Sequence, residues 1–409
     1  MVGRLLLLIP TTTYRTHDFM EAAHALEVDV VVGSDRQQAL EHLTRGKTLS
    51  VDFNDLPSAV EAIVKFNREF PLKAVLGVDD ETVVLASMAN EGLGLPHNSV
   101  DSVRSTRFKQ LTRARLAMTS LPSPGFRFFS IGARASETAK SVPYPCVLKP
   151  VSLSASRGVI RADNADAFVV AFERICAIIA SEKGRAPKAN DQILVEDYIP
   201  GGEVALEGLL LDGELKVLAL FDKPDPLEGP FFEETLYVTP SRLSPSLQEA
   251  IEQTTAEAAS ALGLRTGPVH AELRFNSEGV WIIEIAARSI GGLCSRVLKF
   301  GAGISLEELI LRQVLGEDLE DLGRERSAAG VMMLPVPKKG TLRSIFGQEA
   351  ALKVKGIQGV EITIPLDQEV EPLPEGDRYL GFMFAKGDTP EAVEDALREA
   401  QRRLGVLIE

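Results

Sequence analysis

Two glutamates in one predicted hairpin are the residues whose type and spacing most clearly suggest chemistry. The stretch "PVHAELRFNSEGVWIIEIAARSIGG", residues 268–292, has the pattern of two antiparallel strands, with Glu272 on the first and Glu284 on the second. A three-residue loop ending at Gly279 would place the two carboxylates opposite each other on the polar face. A two-residue loop would shift the register by one residue and bring charge onto the apolar face, which holds Ile283. We therefore predict the three-residue loop.

Two opposed carboxylates need a positive partner. Their Cβ atoms would lie about 4.5–5.5 Å apart, and like charges at that position destabilise a sheet. Arg274 or Arg288 could neutralise them as an ordinary ion pair. A divalent cation is the alternative that we favour, because Mg²⁺ binds one or two carboxylates and completes its shell with water and phosphate oxygens.

Candidate phosphate-binding groups lie earlier in the chain. Lys149 ends a predicted strand, and the following "VSLSASRG", residues 151–158, offers serines and backbone amides to an anion. The spacing GxxxxGK[ST] of a P-loop is absent. Lys109 lies in a basic stretch, residues 102–121, that is predicted to be one helix. Taken singly, each lysine is more typical of a solvated surface, and the serine-rich loop could be a plain turn.

The elements that must position these residues change character along the chain. The first hundred residues alternate strand and helix patterns, which predicts a parallel sheet with packed helices. Antiparallel strands flanked by helices follow, and one pair folds at Asp212-Gly213, a favoured two-residue turn. "ISLEELILRQVLG" is predicted to be a helix capped by Ser305, with Glu308 completing a capping box. The fold class is therefore α/β followed by α+β.

Composition narrows the functional classes. The chain has 409 residues and a net charge of −14, which disfavours nucleic acid and anionic membranes as partners. Three widely spaced cysteines without a metal-binding pattern are typical of a reducing cytoplasm, so we predict a cytoplasmic protein. No apolar stretch approaches the length of a membrane span.

Taken in order, the lysines, the small-residue loop, the acidic strand ends and the paired glutamates resemble the ATP-grasp family of carboxylate–amine (or thiol) ligases. The resemblance covers residues 101–315 and implies an ATP-grasp domain with a mobile lid at about 135–200. Residues 1–100 are similar to the α/β domain that precedes ATP-grasp modules. Residues 316–409 are similar to the small α+β domain that follows them.

The resemblance implies a nucleotide site. Lysines would hold the ATP phosphates beneath the small-residue loop, a strand end would bind adenine, and an acid would bind ribose. His270 could orient a ligand or be a structural histidine. The residues implied for the nucleotide are Lys109, Lys149, Ser154, Ser156, Gly158, Glu196, Tyr198, Ile199, Glu203 and His270.

The resemblance also implies a metal and a catalytic arginine. Glu272 and Glu284 would bind Mg²⁺, which Mn²⁺ could replace, and Arg288 with Lys149 would stabilise the charge that develops at an acyl phosphate. Ala286 stands where the family often has an asparagine ligand, so one or two metal ions are both left open. Glu233 or Glu234 could contact an amino group or belong to a solvated loop. The residues predicted to contact substrate are Lys223, Glu233, Arg274, Arg288, Gly291 and Gly292.

The implied reaction joins a small carboxylate to an amine, such as an amino acid, through an acyl phosphate, with release of ADP and phosphate. A bicarbonate-dependent carboxylase is less favoured because "EIAARSIGGLC" lacks the E-x-N-x-R-x-Q-V-E-H ending of that branch. The D-alanine–D-alanine ligase branch is also disfavoured, because motifs typical of that branch are missing. An ATP-binding regulator without turnover would not need Arg288 and both glutamates. A dinucleotide oxidoreductase is disfavoured because no G-x-G-x-x-G follows the first strand. Monomer and homodimer are both left open.

Overall fold

The computed structural model describes residues 3–11, 13–36, 46–181, 191–319 and 322–409. The first hundred residues form the predicted parallel sheet, in the order β3-β2-β1-β4. Strand β1 is apolar on both faces and almost fully buried, as expected for a parallel strand covered by helices. The elements are β1 Arg4–Leu8, α1 Thr16–Ala25, β2 Asp29–Ser34, β3 Thr48–Ser50, α2 Leu56–Glu69, β4 Ala74–Gly77 and α3 Val83–Leu93.

The basic stretch forms two helices instead of the one that was predicted. Helices α4, Val100–Arg107, and α5, Lys109–Leu116, are separated at Phe108, whose backbone is extended. The Lys109 N–H donates to Val151 O at 3.2 Å. This break therefore docks the start of α5 onto the segment that follows Lys149.

A four-stranded antiparallel sheet of order β5-β8-β6-β7 and helix α7 form most of the segment predicted to be the lid. The sheet includes β5, which precedes residue 135, and residues 182–190 of the predicted lid lie outside the described residues. The elements are β5 Phe126–Ser130, α6 Ala135–Thr138, β6 Cys146–Pro150, β7 Ile160–Ala162, α7 Ala165–Ser181 and β8 Gln192–Asp197.

An eight-stranded sheet of order β13-β12-β9-β10-β11-β14-β18-β16 forms the centre of the molecule. It continues without interruption past residue 316, because β14 pairs with β11. The Asp212-Gly213 turn between β9 and β10 and the Ser305–Glu308 capping box are confirmed. The elements up to this junction are β9 Gly202–Leu211, β10 Glu214–Asp222, β11 Leu236–Thr239, α8 Pro245–Leu262, β12 Gly267–Asn276, β13 Gly279–Ala286 and α9 Leu306–Val314.

The last part of the chain adds three strands to the central sheet and a separate sheet of order β17-β15-β19. Helix α11 packs its apolar face on β14 and β18. The elements are β14 Ala328–Leu334, β15 Gly340–Phe346, α10 Gln348–Leu352, β16 Ile357–Ile362, β17 Glu369–Val370, β18 Gly381–Gly387, α11 Pro390–Arg403 and β19 Gly405–Ile408.

Two observations concern the predicted cellular location of the protein. Within the described ranges no helix is both long and apolar enough to cross a membrane. The cysteines Cys146, Cys176 and Cys294 are all free thiols. The cytoplasmic location stays a prediction.

Candidate active site

The β12–β13 hairpin places Glu272 opposite Glu284, as predicted, but by a different route. Asn276 pairs with Gly279, so the turn has two residues and the predicted three-residue loop is wrong. A β-bulge at Ile283 then adds one residue to β13 and restores the pairing of the glutamates. The predicted register is therefore confirmed at Glu272 and Ala271, but it is wrong by one residue between the bulge and the turn.

The bulge also changes which side chains face the site. Ile282 and Ile285 are buried in the core, whereas Ile283, predicted on the apolar face, lines the cleft beside Glu284. Arg113 holds the bulge by donating to the backbone oxygens of Ile282 at 3.0 Å and Ile283 at 2.6 Å. The position of Glu284 therefore depends on a guanidinium group from α5.

Arg113 also pairs with Glu196, which in turn pairs with Lys149 at 2.6 Å. All three side chains are buried. Burial opposes ionisation of Glu196, but the two cations more than offset this effect and lower its pKa to about 2. Glu196, predicted to bind adenine, therefore holds Lys149 in place. The backbone N–H of Tyr198 donates to Pro145 O at 3.2 Å, although Tyr198 and Ile199 both line the cleft.

Replacing Arg113 with methionine should lower the free energy of unfolding by about 3 kcal/mol, because a buried carboxylate loses a partner and two backbone oxygens lose their donors. Arg115→Met is the matched control, since Arg115 is two residues further along α5 and pairs with the exposed Asp101. Its cost should be about 1 kcal/mol or less. Urea unfolding of both variants tests this prediction, and equal midpoints would contradict it.

Lys223 lies at the centre of an acidic triangle. Its Nζ is 2.8 Å from Glu203 and 3.5 Å from Glu272, and it also contacts Glu234. Burial opposes the charge on Lys223, but the three carboxylates raise its pKa well above the usual value. Burial and the neighbouring Glu272 raise the pKa of Glu234 to about 7. These carboxylates are close enough to hold a metal ion, but the Lys223 ammonium already lies among them and contacts all three.

His270 and Arg274 are buried and lie next to acidic residues of the cleft. The His270 ring lies 3.3 Å from Glu207 and 3.7 Å from Glu272. Burial lowers the pKa of His270, yet these two carboxylates raise it to about 9. Arg274 donates to Gly201 O at 3.1 Å and Leu227 O at 2.8 Å, and its Nε lies 3.4 Å from a carboxylate oxygen of Glu203.

The two predicted metal ligands are available to a cation. Glu272 and Glu284 both line the cleft, with side chains 21% and 33% exposed. Glu284 pairs with Lys109 at 3.1 Å, and Glu272 lies near Lys223 and the His270 ring, so neither glutamate is held by a rigid arginine fork. Two partly exposed carboxylates of this kind fit Mg²⁺. Ala286 offers no further ligand and is buried.

The serine-rich loop, residues 152–158, is held in a strained conformation beside Lys149. Ala155 and Ser156 have φ angles of 56° and 54°, which non-glycine residues seldom adopt and which cost backbone strain. Lys109 donates to Leu153 O at 3.1 Å. Ser154 and Ser156 line the cleft, whereas the N–H of Gly158 donates to Pro374 O at 2.9 Å. Gly158 therefore anchors the loop.

Arg288 reaches across to the first domain. Its Nη2 lies 2.8 Å from Asp80, and its Nη1 donates to Ser289 O at 3.0 Å. Burial opposes the charge on both partners, but their attraction lowers the pKa of Asp80 and raises that of Arg288. Arg15 braces the same segment by donating to Val78 O at 2.6 Å and to the Ser289 hydroxyl.

One end of the cleft is apolar and aromatic. Side chains from the first, middle and last parts of the chain pack together there, and Glu234 lies near Tyr237 and Tyr379. The lining residues at this end are Tyr14, Tyr237, Ile290, Gly291, Gly292, Cys294, Met333 and Tyr379. The cleft can therefore accept a ligand whose apolar group contacts this end and whose charged group lies nearby.

The structure brings most of the predicted site residues into one cleft. Those that line it are Lys109, Lys149, Ser154, Ser156, Glu196, Tyr198, Ile199, Glu203, His270, Glu272, Arg274, Glu284, Arg288, Gly291 and Gly292. Of the predicted set, Gly158, Lys223 and Glu233 are not among the described residues that line it, and Glu234 takes the place of Glu233. Lys223 lies behind the lining residues and contacts two of them, Glu203 and Glu272.

Sequence reasoning missed two residues that support the site. Asp80 lies three residues after the end of the parallel strand β4, and ligands of α/β sheets bind at that edge, so its position was a usable signal. Arg113 lies four residues after Lys109 on a helix, which puts both on the same face. No local pattern indicates that its partners are Glu196 and the bulge.

Three family models match successive parts of the chain. The ATP-grasp N-terminal domain matches residues 20–97, the ATP-grasp domain matches 142–297, and the L-amino acid ligase C-terminal domain 2 matches 332–409. The crystal structure of an L-amino acid ligase from Bacillus licheniformis superposes with a TM-score of 0.86 at 26% identity and covers 100% of this chain and 99% of that one.

Characterised relatives are more distant in sequence. Dapdiamide A synthase from Enterobacter agglomerans is 24% identical over 309 residues, which cover 73% of this chain and 71% of that protein. Alanine–anticapsin ligase from Bacillus subtilis is 25% identical over 268 residues, which cover 62% of this chain and 56% of that ligase.

The chain belongs to the ATP-grasp superfamily. Within that superfamily it is a carboxylate–amine ligase of the L-amino acid ligase type, as its C-terminal domain and the structural match show.

Proposed function

We propose that the protein uses ATP to activate the carboxylate of one amino acid and joins it to the amino group of a second, forming a dipeptide, ADP and phosphate. The observation that carries the proposal is the pair Glu272 and Glu284, which face one cleft together with Lys109, Lys149 and Arg288. The relatives named above, an L-amino acid ligase and an alanine–anticapsin ligase, support an amino-acid substrate.

Each charged residue has a task in this reaction. Lys109 and Lys149 neutralise the ATP phosphates, which otherwise repel an attacking carboxylate. Glu272 and Glu284 would hold Mg²⁺ or Mn²⁺, and the metal would supply Lewis-acid stabilisation of phosphoryl charge. Arg288 stabilises the charge on the carboxyl oxygens as the acyl phosphate forms and as the amine displaces phosphate.

The apolar end of the cleft supports an activated amino acid with an apolar side chain. Glu234 lies beside this end and is suited to binding an ammonium group, while Arg288 is suited to binding the carboxylate. Tyr237, Met333 and Tyr379 would then contact the side chain. A bicarbonate substrate has no group to fill this space, so the carboxylase alternative is disfavoured. A regulator without turnover has no use for Arg288.

Substrate profiling tests the proposal. Incubation of the protein with ATP, MgCl₂ and pooled amino acids should release ADP and phosphate and produce dipeptides whose first residue is apolar, as detected by mass spectrometry. Omission of ATP or of the metal should abolish the product, and MnCl₂ should restore activity. Phosphate release that depends on bicarbonate and not on amino acids would overturn the proposal. Light scattering would distinguish a monomer from a homodimer, which the sequence leaves open.

A further inference from the structure

The segment between β17 and β18, residues 371–380, contacts the serine-rich loop from the last domain. We call this segment the C-terminal loop. Its Pro374 O accepts a hydrogen bond from Gly158 N–H at 2.9 Å, and its Glu375 O accepts one from Arg157 Nε at 2.7 Å. Two carbonyl groups of a distant domain therefore hold the end of the loop that carries Ser154 and Ser156.

A second attachment joins the C-terminal loop to α7. Both carboxylate oxygens of Glu375 engage Arg174 of that helix: Oε2 lies 2.7 Å from Nη2, and Oε1 contacts Nε. This two-pronged geometry fixes orientation as well as distance. Arg174 also packs over the Phe231 ring, with 4.9 Å from its Cζ to the ring centroid. The pair therefore joins α7 to the C-terminal loop at a defined angle.

The C-terminal loop is tightly folded and also reaches the apolar end of the cleft. Gly376 N–H donates to Pro372 O at 2.9 Å, and a Cβ at Gly376 would lie 1.9 Å from Glu371 O. Only glycine fits this close approach. Tyr379, four residues after Glu375, lines the apolar end. One short segment thus touches both the serine-rich loop and the space assigned to the activated amino acid.

We propose that Glu375 is a positioning residue for ATP turnover. Through Arg174 and the adjoining carbonyl contacts, it holds the serine-rich loop over the nucleotide phosphates while Tyr379 contacts the activated substrate. This inference rests on the proposed function. Its physical reason is that a reactive acyl phosphate must be kept from water, so ATP cleavage should occur only with the lid held in place.

Kinetics of Glu375→Gln test the inference. Loss of the charged two-pronged contact should raise the KM for ATP by about five- to tenfold. More ADP than dipeptide should form, because water reaches the acyl phosphate, while the KM for the amine substrate stays unchanged. Asp377→Asn is the matched control, since Asp377 is in the same loop, is 56% exposed and lies 3.9 Å from Arg157. It should behave as wild type.

A double-mutant cycle separates positioning from a general structural effect. Arg174→Gln should reproduce the change in KM, and the double variant should be no worse than either single variant, because the two residues act through each other. Glu375→Asp should restore part of the ADP-to-dipeptide coupling. Additive effects, or a lower melting temperature with unchanged coupling, would overturn the inference.

Nucleotide binding distinguishes this failure from failure of the proposed function. If wild type forms no dipeptide, the proposed function fails, and the affinity for the magnesium complex of a non-hydrolysable ATP analogue still tests Glu375. Calorimetry should show weaker binding for Glu375→Gln than for Asp377→Asn. Equal affinities would overturn the inference on their own.

Discussion

Glu284→Gln should lower kcat/KM for ATP-dependent dipeptide formation by about 10²–10³-fold, which corresponds to roughly 3–4 kcal/mol of transition-state stabilisation. The substitution keeps the shape of the side chain but removes one of the two carboxylates proposed to hold the metal. It also leaves Lys109 without the partner that it has at 3.1 Å. The concentration of MgCl₂ that gives half-maximal activity should rise by about tenfold or more.

Glu278→Gln is the matched control for this prediction, because Glu278 is exposed in the turn of the same hairpin. It should keep wild-type activity and the wild-type requirement for MgCl₂. If Glu284→Gln lowered the melting temperature but kept more than half of the activity, the glutamates would be simple ion-pair partners of Lys109 and Lys223. The metal site would then be excluded at this position.

Arg288→Met should lower kcat by about 10²–10³-fold with little change in the KM for ATP, because the role proposed for the guanidinium is at the reacting carboxyl group and not at the nucleotide. Arg288→Lys should recover only part of the loss, since one ammonium cannot replace a planar group that contacts Asp80 and Ser289 O together. A rise in the KM for ATP with unchanged kcat would contradict the assignment.

Asp80→Asn extends the same prediction to the first domain. Arg288 would remain but lose its charged partner, so we expect about a tenfold fall in kcat, smaller than the loss for Arg288→Met. Asp101→Asn is the control, because Asp101 is also an aspartate paired with an arginine but its side chain is 77% exposed. A wild-type rate for Asp80→Asn would show that Arg288 does not need the first domain.

Patterns with short sequence separation predicted much of the fold. Alternating strand and helix signals gave the parallel sheet, and Asp212-Gly213 and Ser305–Glu308 gave a turn and a helix cap, because each depends on residues within a few positions. The facing glutamates were predicted from the alternation of polar and apolar residues. The loop length was wrong because the bulge at Ile283 compensates for the shorter turn.

The site also contains contacts that no local pattern describes. Arg113 and Glu196 are 83 residues apart, Asp80 and Arg288 are 208 apart, and Arg174 and Glu375 are 201 apart. In each pair, the sequence pattern around one residue gives no sign of the distant partner. Their positions follow from how the domains pack.

The sequence by itself therefore determined the order of the elements, the chemical types in the cleft and the facing of Glu272 and Glu284. Only the tertiary structure decided that Lys223 contacts three carboxylates, that Glu196 holds Lys149, and that side chains from both ends of the chain complete the cleft. The physical reason is that hydrogen-bonding and side-chain periodicity act over a few residues, whereas a buried charge needs a partner that only packing brings within reach.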